Sequence, residues 1–130
     1  MDATERVKND RFAEYTGMEL LTAGDGKATV RLLVKPHHLN AYGNLHGGAL
    51  FTLADYAFAA ASNSRGTVAV GINVTMSYLK AVTGGELIAE AEEVSLGSKL
   101  SSYIVKVYQN KEIVALFQGM AYRKNKIHCG

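Results

Sequence analysis

The sequence predicts an α+β fold: one long buried helix wrapped by a strongly bent antiparallel sheet of about five or six strands. Three observations carry this. Residues 46–63 are apolar on nearly every side, the mark of a helix that other elements must surround. The residues after them alternate polar and apolar and are broken by short turns, as antiparallel strands are. The chain has 130 residues, 48% of them apolar, and one proline, which suits a single domain, 1–130, with its own core.

In chain order, residues 4–17 read as a short amphipathic helix, with Val7, Phe12 and Tyr15 on one stripe and Gly17 at its C-terminal end. A hairpin follows. Residues 18–21 and 27–34 flank the turn Gly24-Asp25-Gly26, and Ala28, Val30, Leu32 and Val34 form the apolar face of the second strand. Residues 36–44 are loop by their Pro, Asn and Gly content. The long helix starts near His46 or Gly47 and runs to about Asn63, with Leu50, Leu53, Ala54, Ala57, Phe58 and Ala61 at three- and four-residue steps. Val68, Val70, Ile72, Val74, Met76 and Tyr78 then alternate as a single strand face. Strands over about 86–94, 101–108 and 112–122 complete what reads as an antiparallel meander, and residues 125–130 form a flexible tail.

Charge and cysteine content exclude several classes of function. Fourteen basic and twelve acidic residues leave a net charge of +2 on dispersed side chains, which is no footprint for nucleic acid. Cys129 is the only cysteine, so no intrachain disulfide forms, and a thiol so near the chain end is a poor candidate nucleophile. Residues 1–8 lack the apolar core of a signal peptide, and the apolar run 49–61 falls short of the about 20 residues that span a bilayer. The expectation is a cytoplasmic protein without a membrane partner.

Asp55 stands out against this background. Between residues 36 and 79 it is the only formally charged side chain besides Arg65. An ionised carboxylate in apolar surroundings is costly, so such a group shifts its pKa or finds a partner. The bland reading is a structural Asp hydrogen-bonded to backbone or to Tyr; the functional one is an acid–base or nucleophilic group. The preceding loop supplies the amide of Asn40, the imidazole of His46 and the backbone of Gly47 and Gly48 at a helix start. Free N–H groups and the positive dipole end meet there. No Gly-x-Ser-x-Gly elbow is present. His37 and His38 bring a metal to mind, but no paired-ligand spacing supports one, so no metal is expected.

The order of elements, with Asn40, His46, Gly47, Gly48 and an Asp nine residues after the His, resembles the hotdog-fold acyl-CoA thioesterases. It resembles most the phenylacetate-pathway (PaaI-like) branch, over roughly residues 10–124. The resemblance implies hydrolysis of an acyl-CoA thioester without metal or redox cofactor. It also implies homodimers whose sheets join edge to edge, commonly paired into homotetramers, with active sites at the dimer interface. By this pattern the Gly47 N–H donates to the thioester oxygen and Asn40 orients substrate or water. Asp55 acts across the interface as general base or nucleophile, and His46 is a proton shuttle or, more simply, a cap and hydrogen-bonding strut. Some relatives carry a hydroxyl residue on the strand facing the Asp; Ala69 takes that place here, with Asn73 or Thr75 as substitutes. The turn Gly97-Ser98-Lys99, and less directly Arg123, is the candidate for holding coenzyme A. Gly48, Leu50 and Tyr56 are expected in the acyl pocket, which favours an aromatic or medium-chain acyl group. Two alternatives stay open: a hotdog hydratase or dehydratase, whose usual His-Phe-Pro segment is absent here, and a non-catalytic acyl-CoA-binding module.

Overall fold

The computed structural model describes residues 2–124; the expected tail at 125–130, with Cys129, lies outside them. Two aspartates decide how the chain begins. Asp2 caps α1 (Ala3–Val7) through the Glu5 N–H, and Asp10 caps α2 (Arg11–Tyr15) through the Ala13 N–H at 2.9 Å. A cap residue sits in extended conformation, so Asp10 splits the single helix expected over 4–17 into two. The expected inward stripe fails with it: Ala3 and Ala13 are buried, while Phe12 and Tyr15 are 63% and 85% exposed.

Strands β1 (Glu19–Gly24) and β2 (Lys27–Leu33) form the expected hairpin. Asp25 and Gly26 both have positive φ (53° and 78°), the conformation of a tight two-residue hairpin turn. Helix α3 (Gly47–Ser62) has His46 as N-cap and Asn63 as C-cap, matching the segment read from the sequence. Beyond it come β3 (Ala69–Tyr78), β4 (Glu86–Leu96), β5 (Leu100–Gln109) and β6 (Glu112–Arg123). All pairings are antiparallel, in the order β1-β2-β4-β5-β6-β3. Only β4, β5 and β6 form a meander. Strand β3 is carried across to pair with β6, so it becomes an edge strand, and β2 pairs with β4 instead.

Phe58 fixes the helix to the sheet. A Cβ on either Gly71 or Gly119 would lie 2.8 Å from its ring, so those two glycines form the notch it fills. Its ring is also 5.4 Å from Phe117 and 5.6 Å, edge-on, from Tyr103. With Leu50, Leu53, Ala54, Ala57 and Ala61 it packs α3 into the concave face lined by Val30, Leu32, Leu87, Val105 and Val107.

The clean alternation read in β3 does not survive as one face. A bulge between Gly71 and Asn73 inserts Ile72 as an extra residue. Val70 is opposite Tyr122 on the outer face, whereas Val74, Met76 and Tyr78 are opposite Gly119, Phe117 and Ala115 on the helix side. Asn73 and Thr75 are opposite Met120 and Gln118, on the outer face. Among the described residues no helix is long and apolar enough to cross a membrane.

Candidate active site at the start of α3

The first turn of a helix leaves N–H groups without intrahelical partners. Here nearly all are used. His46 donates its own N–H to the His38 carbonyl (2.7 Å), its Nδ1 accepts from the Gly48 N–H (2.8 Å), and its carbonyl receives the N–H groups of Ala49 and Leu50. The Gly47 N–H alone has no partner among the described residues. The Gly47 carbonyl accepts from the Tyr78 hydroxyl at 3.3 Å, which holds the peptide from the β3 side. Gly48 must lack a side chain, because a Cβ there would lie 3.0 Å from the His46 Nδ1 that caps the helix.

The loop before the helix is built from side chains. Asn40 folds it: its Oδ1 accepts from the N–H groups of Tyr42 (2.9 Å) and Asn44 (3.1 Å), leaving the amide NH2 without a partner among the described residues. His38 is buried. The Lys35 N–H donates to its Nδ1 at 2.9 Å, so the ring carries its hydrogen on Nε2 and donates to the Thr16 carbonyl at 2.7 Å. This strut accounts for His38 without a metal, and no group of three metal-ligating side chains occurs among the described residues.

Asp55 lies on the one open stripe of α3, with Gly48, Thr52 and Ala59 at four- and three-residue steps. Its carboxylate has no hydrogen-bond or ion-pair partner among the described residues. Burial, then the neighbouring Asp10, push its pKa above the ordinary carboxylate range. Asp55 is eight residues beyond Gly47, about 12 Å along the helix axis. Within one chain the two groups cannot reach the same carbonyl.

Other expected site residues lie elsewhere. Leu50 is 3% exposed and belongs to the core, and Tyr56 is 5% exposed with its hydroxyl donating to the Val7 carbonyl at 3.0 Å. Neither walls the helix start, because both point into the packed face of α3. Asn73 and Thr75 sit across the sheet from Asp55, on the outer side of the bulge. The turn Gly97-Ser98-Lys99 is joined to Arg123, whose Nη1 donates to the Gly97 carbonyl at 2.7 Å. Since Arg123 is opposite Ala69, that turn lies at the far end of β3 from Gly47, about 30 Å along the strand.

A cavity of about 590 Å³ does open beside the helix start, between His46, Gly48 and Thr52 on one side and Phe12 and Tyr15 on the other. Sequence reasoning missed these two aromatics and Tyr78. The available signal was the pair at three-residue spacing in an otherwise polar helix, read only as part of an amphipathic stripe.

Residues 42–115 match the family model described as the thioesterase superfamily. A putative esterase of Archaeoglobus fulgidus is 45% identical over 121 residues, covering 92% of this chain and 79% of that protein. The acyl-coenzyme A thioesterase PaaI of Escherichia coli is 36% identical over 124 residues, covering 94% and 89%. The solved structure of the E. coli PaaI protein superposes with a TM-score of 0.90, at 34% identity and covering 98% and 94%. A hypothetical thioesterase with coenzyme A from Streptococcus pneumoniae superposes with a TM-score of 0.87, at 26% identity and covering 97% and 100%.

Proposed function

This chain belongs to the thioesterase superfamily as a PaaI-like, hotdog-fold acyl-CoA thioesterase, and from that premise we propose how its residues carry the reaction. The thioester carbonyl oxygen accepts a hydrogen bond from the Gly47 N–H, at the positive end of α3, where charge builds as the carbonyl is attacked. Asp55 of a second subunit acts on the carbonyl carbon. As general base it takes a proton from water while the water oxygen attacks. As nucleophile it forms an acyl–carboxylate anhydride that water then opens. In either case the C–S bond breaks, coenzyme A leaves as thiolate and is protonated, and the acid is released. The Asn40 amide NH2 and His46 orient substrate or water, and the reaction calls on no metal or redox cofactor.

The observation that carries this reading is the single unpaired N–H at Gly47, set about 12 Å along the same helix from an unpaired carboxylate. One copy holds two halves of two different sites. The exposed edge of β3 supplies the joint. Its residues Val70, Ile72, Val74 and Tyr78 are 39–55% exposed although apolar. Two copies joined antiparallel along β3 bring the Tyr78 end of one beside the Ala69 end of the other. The second subunit's Gly97-Ser98-Lys99 turn and Arg123 then stand near Gly47, placed to hold the phosphates of coenzyme A. The S. pneumoniae neighbour, solved with coenzyme A, fits that assignment. Pairing of dimers into a tetramer, a cytoplasmic setting, and an aromatic or medium-chain acyl group complete the proposal.

Complementation tests it. Gly47→Pro removes only the N–H, since proline suits the first position of a helix and His46 is already extended (φ −61°, ψ 136°). Gly47→Pro and Asp55→Asn should each abolish thiol release from acyl-CoAs. Refolded together in equal amounts they should recover about a quarter of wild-type activity, because half the dimers are mixed and each mixed dimer has one intact site. No recovery sinks the shared site. No thiol release by the wild type returns the chain to the binding-module or hydratase readings.

A further inference from the structure

We propose that Phe12 and Tyr15 of α2 are specificity-determining residues: they form the wall against which the acyl group lies, in the cavity between α2 and the first two turns of α3. The inference rests on the thioesterase reading above and adds to it which part of the chain reads the acyl group.

Phe12 and Tyr15 are three residues apart, so both rings stand on one side of α2. Both rings stand largely in solvent, while Ala13 of the same helix is buried. They flank the cavity of about 590 Å³ whose opposite wall is Gly48, Ala49 and Thr52 of α3. That volume suits a small-molecule group. Its polar lining comes from His37, His38 and His46 and from two threonines. The Thr16 hydroxyl bonds back to the Phe12 and Ala13 carbonyls, and the Thr52 hydroxyl bonds back to the Gly48 carbonyl at 2.8 Å. A thioester whose oxygen meets the Gly47 N–H has its acyl carbon at the mouth of this cavity, one residue from Gly48.

The wall is also held rigidly to the helix start. His38 donates from Nε2 to the Thr16 carbonyl at the end of α2, and its own carbonyl receives the His46 N–H. One buried residue therefore ties the aromatic pair to the N-cap of α3. The backbone that carries the two rings is thereby fixed to the helix start before substrate arrives, which lowers the ordering cost of binding.

The test compares wild type, Phe12→Ala and Tyr15→Ala on benzoyl-CoA, hexanoyl-CoA and acetyl-CoA. Both side chains are exposed, so truncation should leave the melting temperature unchanged. The expected result is a rise in KM of about tenfold for benzoyl-CoA, a smaller rise for hexanoyl-CoA, and kcat/KM for acetyl-CoA held within about twofold. An equal loss on all three substrates, or no change on any, overturns the proposal. Binding to the Asp55→Asn protein makes the answer independent of turnover. The affinity of benzoyl-CoA relative to free coenzyme A should fall about tenfold in Phe12→Ala, even if the wild type hydrolyses none of the three. An unchanged ratio there overturns the wall while leaving the thioesterase reading intact.

Discussion

The two sides of α3 are built on opposite terms. The packed side, Leu50, Leu53, Ala54, Ala57, Phe58 and Ala61, is fully enclosed, and its largest ring fills a notch cut by two glycines. The open stripe, Gly48, Thr52, Asp55 and Ala59, carries a carboxylate and begins beside a backbone N–H, neither with a partner among the described residues. Unpaired polar groups are costly, and a chain concentrates them where something else will meet them. The lesson is that stability and chemistry lie 180° apart on one helix, so substitutions should separate them.

The largest expected effect is on the packed side. Phe58→Ala should lower unfolding free energy by about 3–5 kcal/mol in a denaturant titration, because neither glycine can fill the space left. A loss under about 1 kcal/mol would mean the notch relaxes, and the division between the two sides would weaken.

On the open stripe, Asp55→Asn should cut kcat by at least about a hundredfold while leaving the protein as stable or more so. The sign follows from linkage. A carboxyl whose folded pKa is raised, by burial and then by Asp10, destabilises the fold in full above that pKa, and the cost fades as pH falls from there to the ordinary carboxylate range. The stability gained by Asn should therefore be present at neutral pH and shrink as pH falls through the folded pKa. A variant that lost both activity and melting temperature would make Asp55 a structural residue and erase the contrast.

The smallest effect sharpens the comparison. Asp10→Asn keeps a good helix cap but removes the negative charge near Asp55. With Asp55 acting deprotonated, as proposed, the acid limb of kcat/KM should move to lower pH, yet remain above the ordinary carboxylate range because burial persists. A limb that stays put assigns the titration to another group.

Much of this was legible beforehand. The ends of α3, the Asp25-Gly26 turn and the later strands follow from local chemistry: capping, positive φ and period-two alternation. The pattern of Asn40, His46, Gly47, Gly48 and Asp55, where the proposed site is placed, is legible for the same reason, since it occupies one loop and one helix. What was not legible depends on contacts distant in sequence. Pairing of β3 with β6 rather than β4 cannot be read from turns, and Asp10 as a mid-segment cap looks like any helical aspartate. Leu50 lies in the core and Tyr56 turns to Val7 and a cavity beside Asp10, because in a helix apolar all round no periodicity says which residues line which cavity. For the same reason the stripe of Val7, Phe12 and Tyr15 does not reveal that a break at Asp10 leaves both aromatics exposed.

The bulge at Ile72 gives β3 two reading frames. Upstream of it Ala69 and Gly71 address the helix; downstream Val74, Met76 and Tyr78 do, with the parity switched. Anyone splicing this strand with that of a relative has therefore to place the junction by parity rather than by alignment score. A chimera that kept Ile72 but paired straight through without the bulge would turn Asn73 and Thr75 towards Phe58 and swing the Tyr78 ring away from Gly47, whereas one that lost Ile72 would leave the downstream residues facing as they do. A one-residue slip of register, invisible in a percentage identity, would exchange the interior of the protein for its exterior.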